Sequence, residues 1–198
     1  MPWRQPIEIR DAVADDAAGL IDLWRTCLLH AADEGSETYT QQTLWREPSE
    51  AETREAIAFN AERNGRRLLV GTCDGTIVSA AAADITTLTP ISMSRVMLVS
   101  DLQVAPEHRR RSVASAMLSA LAAHAEESGC DMVVSSIPAH AKEPNRYLTK
   151  LGFNQIAVLR AIPLGKLTAR LATKTVGSRE TGRLVAVRRT LRRRHAIG

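Results

Sequence analysis

Apolar and polar side chains alternate from Ile7 to Val13 (IEIRDAV), the two-residue period of a half-buried strand. The period then lengthens. In AAGLIDLWRTCLLHA, Leu20, Leu23, Trp24, Cys27 and Leu28 recur at helical spacing, with Asp15 or Asp16 placed to cap the helix. Residues 32–47 are mixed and without period, and read as a loop with room for one helical turn. Ser49 opens a second helix, SEAETREAIAFNAER, with Glu52 three residues on as in a capping box, and Asn64-Gly65 ends it. In RLLVGTCDGTIVSAAAADI two apolar runs flank Asp74-Gly75, a strong hairpin signal. Ser94 to Val104 (SRVMLVSDLQV) reads as a long strand that Pro106 stops. A helix rich in Ala, Leu and Met is expected from about Arg109 to Glu127, closed by Ser128-Gly129. DMVVSSIP reads as a buried strand, Glu143-Pro144 starts a short helix that Gly152 ends, and FNQIAVLRAIPL reads as a last strand.

That order, β-α-α-β-β-β-α-β-α-β, has a meander of antiparallel strands leading into a β-α-β crossover. It predicts an α/β domain with a mixed, twisted sheet covered by helices. No internal repeat interrupts it.

Composition narrows the class. A chain of 198 residues, 44% hydrophobic and 24% charged, is one domain's length and buries enough surface to need neither disulfides nor metals. No run of eighteen apolar residues suggests a membrane span. The N-terminal MPWRQPIEIRDAV lacks the basic-then-apolar order of a secretory signal, so the expected address is the cytoplasm. Cys27, Cys73 and Cys130 are odd in number and far apart, which fits buried free thiols better than a disulfide or zinc framework. The five histidines show no ligand spacing, and no metal is expected.

Charge is uneven. Residues 161–198 hold ten Lys/Arg against Glu180 alone, a net of +9, while the other 160 residues hold sixteen basic and twenty-one acidic side chains, a net of −5; together they give the overall +4. An acidic body thus carries a basic tail. In the tail, Gly177 to Gly182 reads as a linker, and Leu184, Val187 and Leu191 recur at helical spacing among arginines. Such an extension, 165–198 and partly helical, can dock on its own acidic body or form a homodimer arm. It can also contact an anionic membrane surface or, with no aromatic to stack on a base, bind nucleic acid through phosphates only.

The segment richest in chemistry runs from Asp101 to Leu118. Physically it is a strand, a tight turn at Pro106, three consecutive arginines (Arg109, Arg110, Arg111), then a helix that begins among small residues. Unpaired N–H groups and the positive end of the helix dipole favour an anion there. Ser112, Ala114 and Ser115 are small enough to let a diphosphate approach the backbone. Taken alone, the arginines are equally a solvated run before an ordinary helix.

Val104, Pro106, His108, Arg109, Arg111, Val113, Ala114 and an apolar residue at Met117 or Leu118 resemble motif A of the GNAT superfamily of N-acetyltransferases. Ser112 stands where that motif has a glycine. Three further segments resemble the family in order: IEIRDAVADDAAGLIDLW its opening strand and helix, Asp74-Gly75 the turn between its second and third strands, and YLTKLGF (Tyr147 to Phe153) its near-terminal helix end. The resemblance implies a GNAT-like twisted mixed sheet of six to seven strands flanked by about four helices, over residues 1–164.

It also implies a function: transfer of an acetyl group from acetyl-CoA to the primary amine of a small molecule or peptide, by direct attack. A weakened CoA-binding sensor or interaction module is the alternative. Leu102, Gln103 and Val104 would then hold the pantetheine and thioester, and Arg109, Arg110, Arg111, Ser112, Val113, Ala114 and Ser115 the pyrophosphate. The family's general acid is a tyrosine four residues before the glycine of L-G-F. Leu148 occupies that position, and the neighbouring Tyr147 matches an apolar, core-packed one; Tyr147 is nonetheless the available acid. Asp101 is the first candidate base, with Ser100 and Gln103 as the other polar residues on its strand, and His140, just past the fifth strand, is another possible base. The acceptor pocket is expected from residues about 28–47, with Trp24, Tyr39 and Trp45 as walls and Asp33, Glu34, Glu37 and Glu47 attracting a cationic amine.

Overall fold

Asp74 and Gly75 both hold positive φ, 51° and 77°, as a two-residue type I′ turn demands. They join β2 (Arg66–Cys73) to β3 (Thr76–Thr87). The computed structural model describes residues 6–33, 46–138 and 141–172. Around the hairpin stand β1 (Glu8–Asp11), β4 (Arg95–Val104) and β5 (Cys130–Ser135), giving one sheet in the order β1-β2-β3-β4-β5. Neighbours from β1 to β4 are antiparallel, and β5 is parallel to β4. The parallel pair requires a crossover, supplied by α3 (Val113–Glu127). Three further α-helices precede Phe153: α1 (Ala17–Asp33), α2 (Glu50–Glu62) and α4 (Lys142–Lys150). The mixed α/β sheet is the fold class expected from the sequence.

Successive strand residues point to opposite faces, and the core divides accordingly. Val70 and Ala80 join Leu20, Leu23, Cys27 and Ile57 under α1 and α2. Their neighbours Leu69 and Ala81 join Met97, Val99, Met117, Leu121 and Ala125 under α3. Met117 and Leu121 are wholly buried, each contributing roughly 1.5–3 kcal/mol by leaving water. The run Ala80 to Ala83 on the central strand keeps both faces shallow enough for helices to pack closely.

Several expectations are borne out locally. Ser49 caps α2 by accepting the Glu52 N–H, although the Glu52 carboxylate pairs with Arg46 instead of closing the box. Gly65, Gly129 and Gly152 follow their helices with positive φ.

Others are corrected. The first strand is shorter than Ile7 to Val13. Neither Asp15 nor Asp16 is the N-cap of α1: a 3-10 turn, Ala14–Asp16, precedes it. The buried Asp16 carboxylate turns back to accept the Val13 N–H at 2.8 Å and both Arg10 branches at 2.7 and 2.8 Å, because β1 offers a full positive charge where the helix end offers a partial one. The helix expected from Arg109 begins at Val113, since Arg110 and Ser112 take left-handed conformations that no α-helix accommodates.

FNQIAVLRAIPL forms no strand, and among the described residues the sheet has five strands instead of six or seven. An apolar pattern marks a strand's faces, but a strand also needs a ladder, and residues 154–163 join no strand ladder among the described residues. Ile156, Val158 and Leu159 are correspondingly exposed. The chain divides into two units, one ending at Phe153 and one beginning at Asn154. In the second, residues 164–172 form a helix, α5. The tail helix expected from Arg183 lies outside the described residues. No helix among those described is long and apolar enough to cross a membrane.

Candidate active site

β4 carries one residue too many for its partner. Ala82 faces Asp101 but Ala83 faces Val99, so Ser100 is the extra residue of a β-bulge. The bulge rephases the strand. Ala105 N–H bonds Val78 O on β3, and hydrogen-bonding direction alternates along an antiparallel strand. The backbone groups of Asp101 and Gln103 therefore face β3, and those of Leu102 and Val104 face the other way.

On that other side β4 soon loses its neighbour. The parallel ladder with β5 ends at Val99 and Ser135, followed by one bond from Ser136 N–H to Val99 O. From Ser100 to Val104 the strand has no ladder partner on that flank among the described residues. Leu102 and Val104 lie on the stretch of β4 beyond the end of that ladder. The Val104 carbonyl there accepts from Arg109 Nε at 3.3 Å and from the Cys27 thiol at 3.5 Å. Burial pushes the Cys27 thiol up to about 11, with Arg109 opposing, so it stays a neutral donor.

The loop after β4 is shaped by backbone conformation. A 3-10 turn, Pro106–His108, leads to Arg110 (φ 60°) and Ser112 (φ 66°, ψ 11°), both left-handed. Left-handed residues spaced this closely are a building element of anion-binding nests. The Ser112 hydroxyl does not cap α3, which leaves the first-turn N–H groups without that acceptor. The three arginines are not equivalent. Half-buried Arg109 braces Val104, Arg110 pairs with Glu143 of α4, and Arg111 is exposed with no ion pair among the described residues. Val113 is buried and anchors the loop to the core, Ala114 is half-buried, and Ser115 is exposed.

Tyr147 is not packed in the core. Leu148 fills that place, 7% exposed, and the phenol of the half-buried Tyr147 lies 2.8 Å from the Ser115 hydroxyl in the first turn of α3. One helical step of about 100° separates the two directions.

Asp101 sits on the opposite face, beneath α1. Its Oδ2 accepts from Trp24 Nε1 at 3.2 Å and its Oδ1 from Gln103 Nε2 at 2.7 Å. Gln103 thus serves Asp101 with its side chain. Burial raises the Asp101 carboxyl above the usual carboxylate range, against opposing hydrogen bonds from Gln103, Trp24 and the Leu102 N–H. Ser100 and Asp101 both line a cavity of about 350 Å³ between α1, α2 and strands β2 to β4, walled by Leu20, Ile21, Trp24 and Leu68 among others. The bulge brings two consecutive residues to this one cavity. Glu47, expected at the acceptor pocket, is exposed and held by Arg25. The loop residues Glu34, Glu37, Tyr39 and Trp45, the Asp33 side chain and His140 lie outside what the structure describes.

No group of His, Cys, Asp and Glu among the described residues is arranged to hold a metal ion. Sequence reasoning missed Arg66, a cavity-lining residue at the start of β2, and the Cys27 bond to Val104. Neither has a local signal, since each contact joins elements distant in the chain.

The architecture recurs in solved structures. A transcriptional regulator from Bacillus halodurans C-125 matches with a TM-score of 0.66 at 14% identity, covering 80% of this chain and 100% of that one. Aminoglycoside N-acetyltransferase AAC(6')-Iy in complex with CoA matches at 0.61 and 16%, covering 82% and 97%. Glucosamine-6-phosphate N-acetyltransferase from Arabidopsis thaliana matches at 0.61 and 15%, covering 80% and 99%. At such identities the likeness is one of fold. No curated protein sequence matches. The model of the acetyltransferase (GNAT) family matches residues 18–153, which span the opened sheet, the left-handed loop and the helix bearing Tyr147. The chain belongs to the GNAT family of acetyltransferases.

Proposed function

We propose that this protein transfers an acetyl group from acetyl-CoA to the primary amine of a small molecule or peptide. The observation that carries the reading is the end of the β4–β5 ladder at Val99 and Ser135, while β4 runs on to Val104, ahead of a left-handed loop and an uncapped helix start. An extended thioester arm fits the opening, where Leu102 and Val104 turn their backbone groups outward. A diphosphate fits the nest from Arg109 to Ser115, where small side chains leave the N–H groups accessible. The solved neighbour that contains CoA supports the same pairing of fold and ligand.

Acetyl-CoA, when bound, supplies an activated carbonyl whose bond to sulfur breaks as the bond to nitrogen forms. The protein's share is positioning and proton transfer. Asp101, at the cavity floor, takes the proton that the acceptor amine must lose; a carboxylate with a raised pKa is the better base near neutrality. The Val104 N–H donates to the carbonyl oxygen as charge develops. The Tyr147 hydroxyl, oriented by Ser115, is the proton donor to the departing sulfur.

Calorimetry with acetyl-CoA, followed by thiol release with a panel of amines, tests the reading. Heat and amine-dependent thiol release are expected. Heat without release would favour the CoA-binding module, and no heat with any acyl-CoA removes the assignment.

A further inference from the structure

The cavity under α1 and α2 has one acid and one base among its lining residues, Asp101 and Arg66. They stand at opposite corners of its floor. Leu68, Ala82 and Asp101 form one cross-strand row, and Arg66 lies two residues along β2 from Leu68, opposite Asp84. With strands about 4.8 Å apart and about 3.4 Å per residue along each, the Arg66 and Asp101 Cα atoms are roughly 12 Å apart. The rest of the lining is mostly apolar, with Leu20, Ile21, Ile57 and Leu68 among its members, and Thr53, Asn60 and Ser100 are its uncharged polar members.

The two charges are differently satisfied. Asp101 already accepts from Trp24 and Gln103. Arg66 is 29% exposed, its Nε is buried without a hydrogen-bond acceptor, and its ionic neighbour is Asp84 Oδ1 at 3.7 Å. Among the described residues its guanidinium makes no hydrogen bond. A guanidinium presents five donors in a planar fork that matches a carboxylate, and a half-buried fork without acceptors is a cost that a ligand can relieve.

We propose that the acceptor is an amine that carries its own carboxylate, with the amine at Asp101, the carboxylate on the Arg66 guanidinium, and an apolar spacer along Leu20, Ile21 and Leu68. The chemistry rests on the transferase reading above; the binding rests on the cavity alone. A plain alkylamine leaves the fork unmatched, and a diamine sets a second cation against it. The class is therefore zwitterionic, an amino acid whose amine and carboxylate are held apart by methylenes.

The test uses the full chain with acetyl-CoA and four acceptors: 4-aminobutanoate, 6-aminohexanoate, hexylamine and 1,6-diaminohexane. The better of the two amino acids should exceed hexylamine in kcat/KM by at least about tenfold, the scale of a charge-assisted hydrogen bond, with the diamine lowest. Arg66→Met should erase that preference, and Arg66→Lys, which keeps the charge but not the fork, should keep part of it. Thermal melting checks that both variants fold. Equal rates for hexylamine and the amino acids, or a preference that survives Arg66→Met, would overturn the proposal while leaving the transferase in place. Calorimetry separates the two ideas further. Amino-acid binding lost in Arg66→Met without any thiol release would keep the site and remove the transferase, whereas neither binding nor turnover of either amino acid defeats the proposal outright.

Discussion

Trp24 on α1 and Asp101 on β4 are 77 residues apart in sequence and joined by one hydrogen bond, from the indole Nε1 to Oδ2 at 3.2 Å. Burial raises the Asp101 pKa, and this indole is one of the donors that pull it back. A base works only when deprotonated, so kcat/KM should fall as pH drops through a value above the ordinary carboxylate range. Trp24→Phe removes a donor to the charged form, and the acid limb should move to still higher pH. Asp101→Asn should lower turnover at least about tenfold, the low side for a lost general base, with acetyl-CoA binding intact. A pH–rate profile of the three proteins checks this. An unchanged rate in Asp101→Asn removes it from the mechanism.

Tyr147 and Leu148 are adjacent in sequence but turn to different surroundings, the first to the Ser115 hydroxyl and the second to the core. Tyr147→Phe deletes the hydroxyl that meets Ser115 but keeps the ring, so kcat should fall by about tenfold or more with the melting temperature within a degree or two. Leu148→Ala removes a side chain only 7% exposed, and should cost about 2–4 kcal/mol of stability. Denaturant titration and steady-state kinetics on both variants distinguish the roles. A Tyr147→Phe enzyme as fast as the parent would assign the sulfur's proton to water.

Features encoded within a few residues were legible in the sequence; those made between distant segments were not. The Asp74-Gly75 turn, the Ser49 cap and the glycines after three helices follow from local backbone preference. The left-handed loop was visible only as small residues beside arginines. The inward turn of Arg109 toward Val104 is decided by a carbonyl that β5 leaves uncovered. The bulge at Ser100 has no composition signal, yet it chooses which backbone groups face the opening. The count back from Gly152 puts Leu148 at the tyrosine position and Tyr147 at a core-packed one, whereas the fold buries Leu148 and turns Tyr147 toward Ser115. The expected last strand failed because side-chain periodicity carries no information about a ladder partner.

Asp16 ties the turn before α1 to β1, and its ionisation should be felt as stability. The Arg10 hydrogen bonds hold its carboxyl below the usual carboxylate range, assisted by the Val13 N–H and opposed by burial. A folded-state pKa below the unfolded one gives stabilisation that is complete above the unfolded value and lost as pH falls through the folded value. Arg10 is 37% exposed, so screening trims the pair's worth. Asp16→Asn should cost about 1–3 kcal/mol at pH 7, less than a fully buried pair, and progressively less below about pH 4. Urea unfolding of both proteins at pH 7 and in the acid range measures the difference. A gap that stays constant with pH would mean that packing, not charge, holds the turn.

Ser112 occupies the left-handed region (φ 66°, ψ 11°) at the first position before α3, where the family's motif has glycine, and its hydroxyl does not cap the helix. A side chain with a Cβ is strained there by about 1–2 kcal/mol, and glycine is not. Ser112→Gly should therefore raise stability by about 0.5–1 kcal/mol, the strain relief being partly offset by the greater freedom of glycine in the unfolded chain. Ser112→Val, branched at Cβ, should lower stability and distort the nest. If the loop's N–H groups grip a diphosphate, Ser112→Gly should bind acetyl-CoA at least as tightly as the parent, and Ser112→Val at least about tenfold more weakly, a loss comparable to one or two misaligned hydrogen bonds to a charged group. Calorimetry beside denaturant unfolding reads both effects. Tighter folding together with weakened binding in Ser112→Gly would show that the serine hydroxyl itself, rather than the backbone it distorts, contacts the ligand.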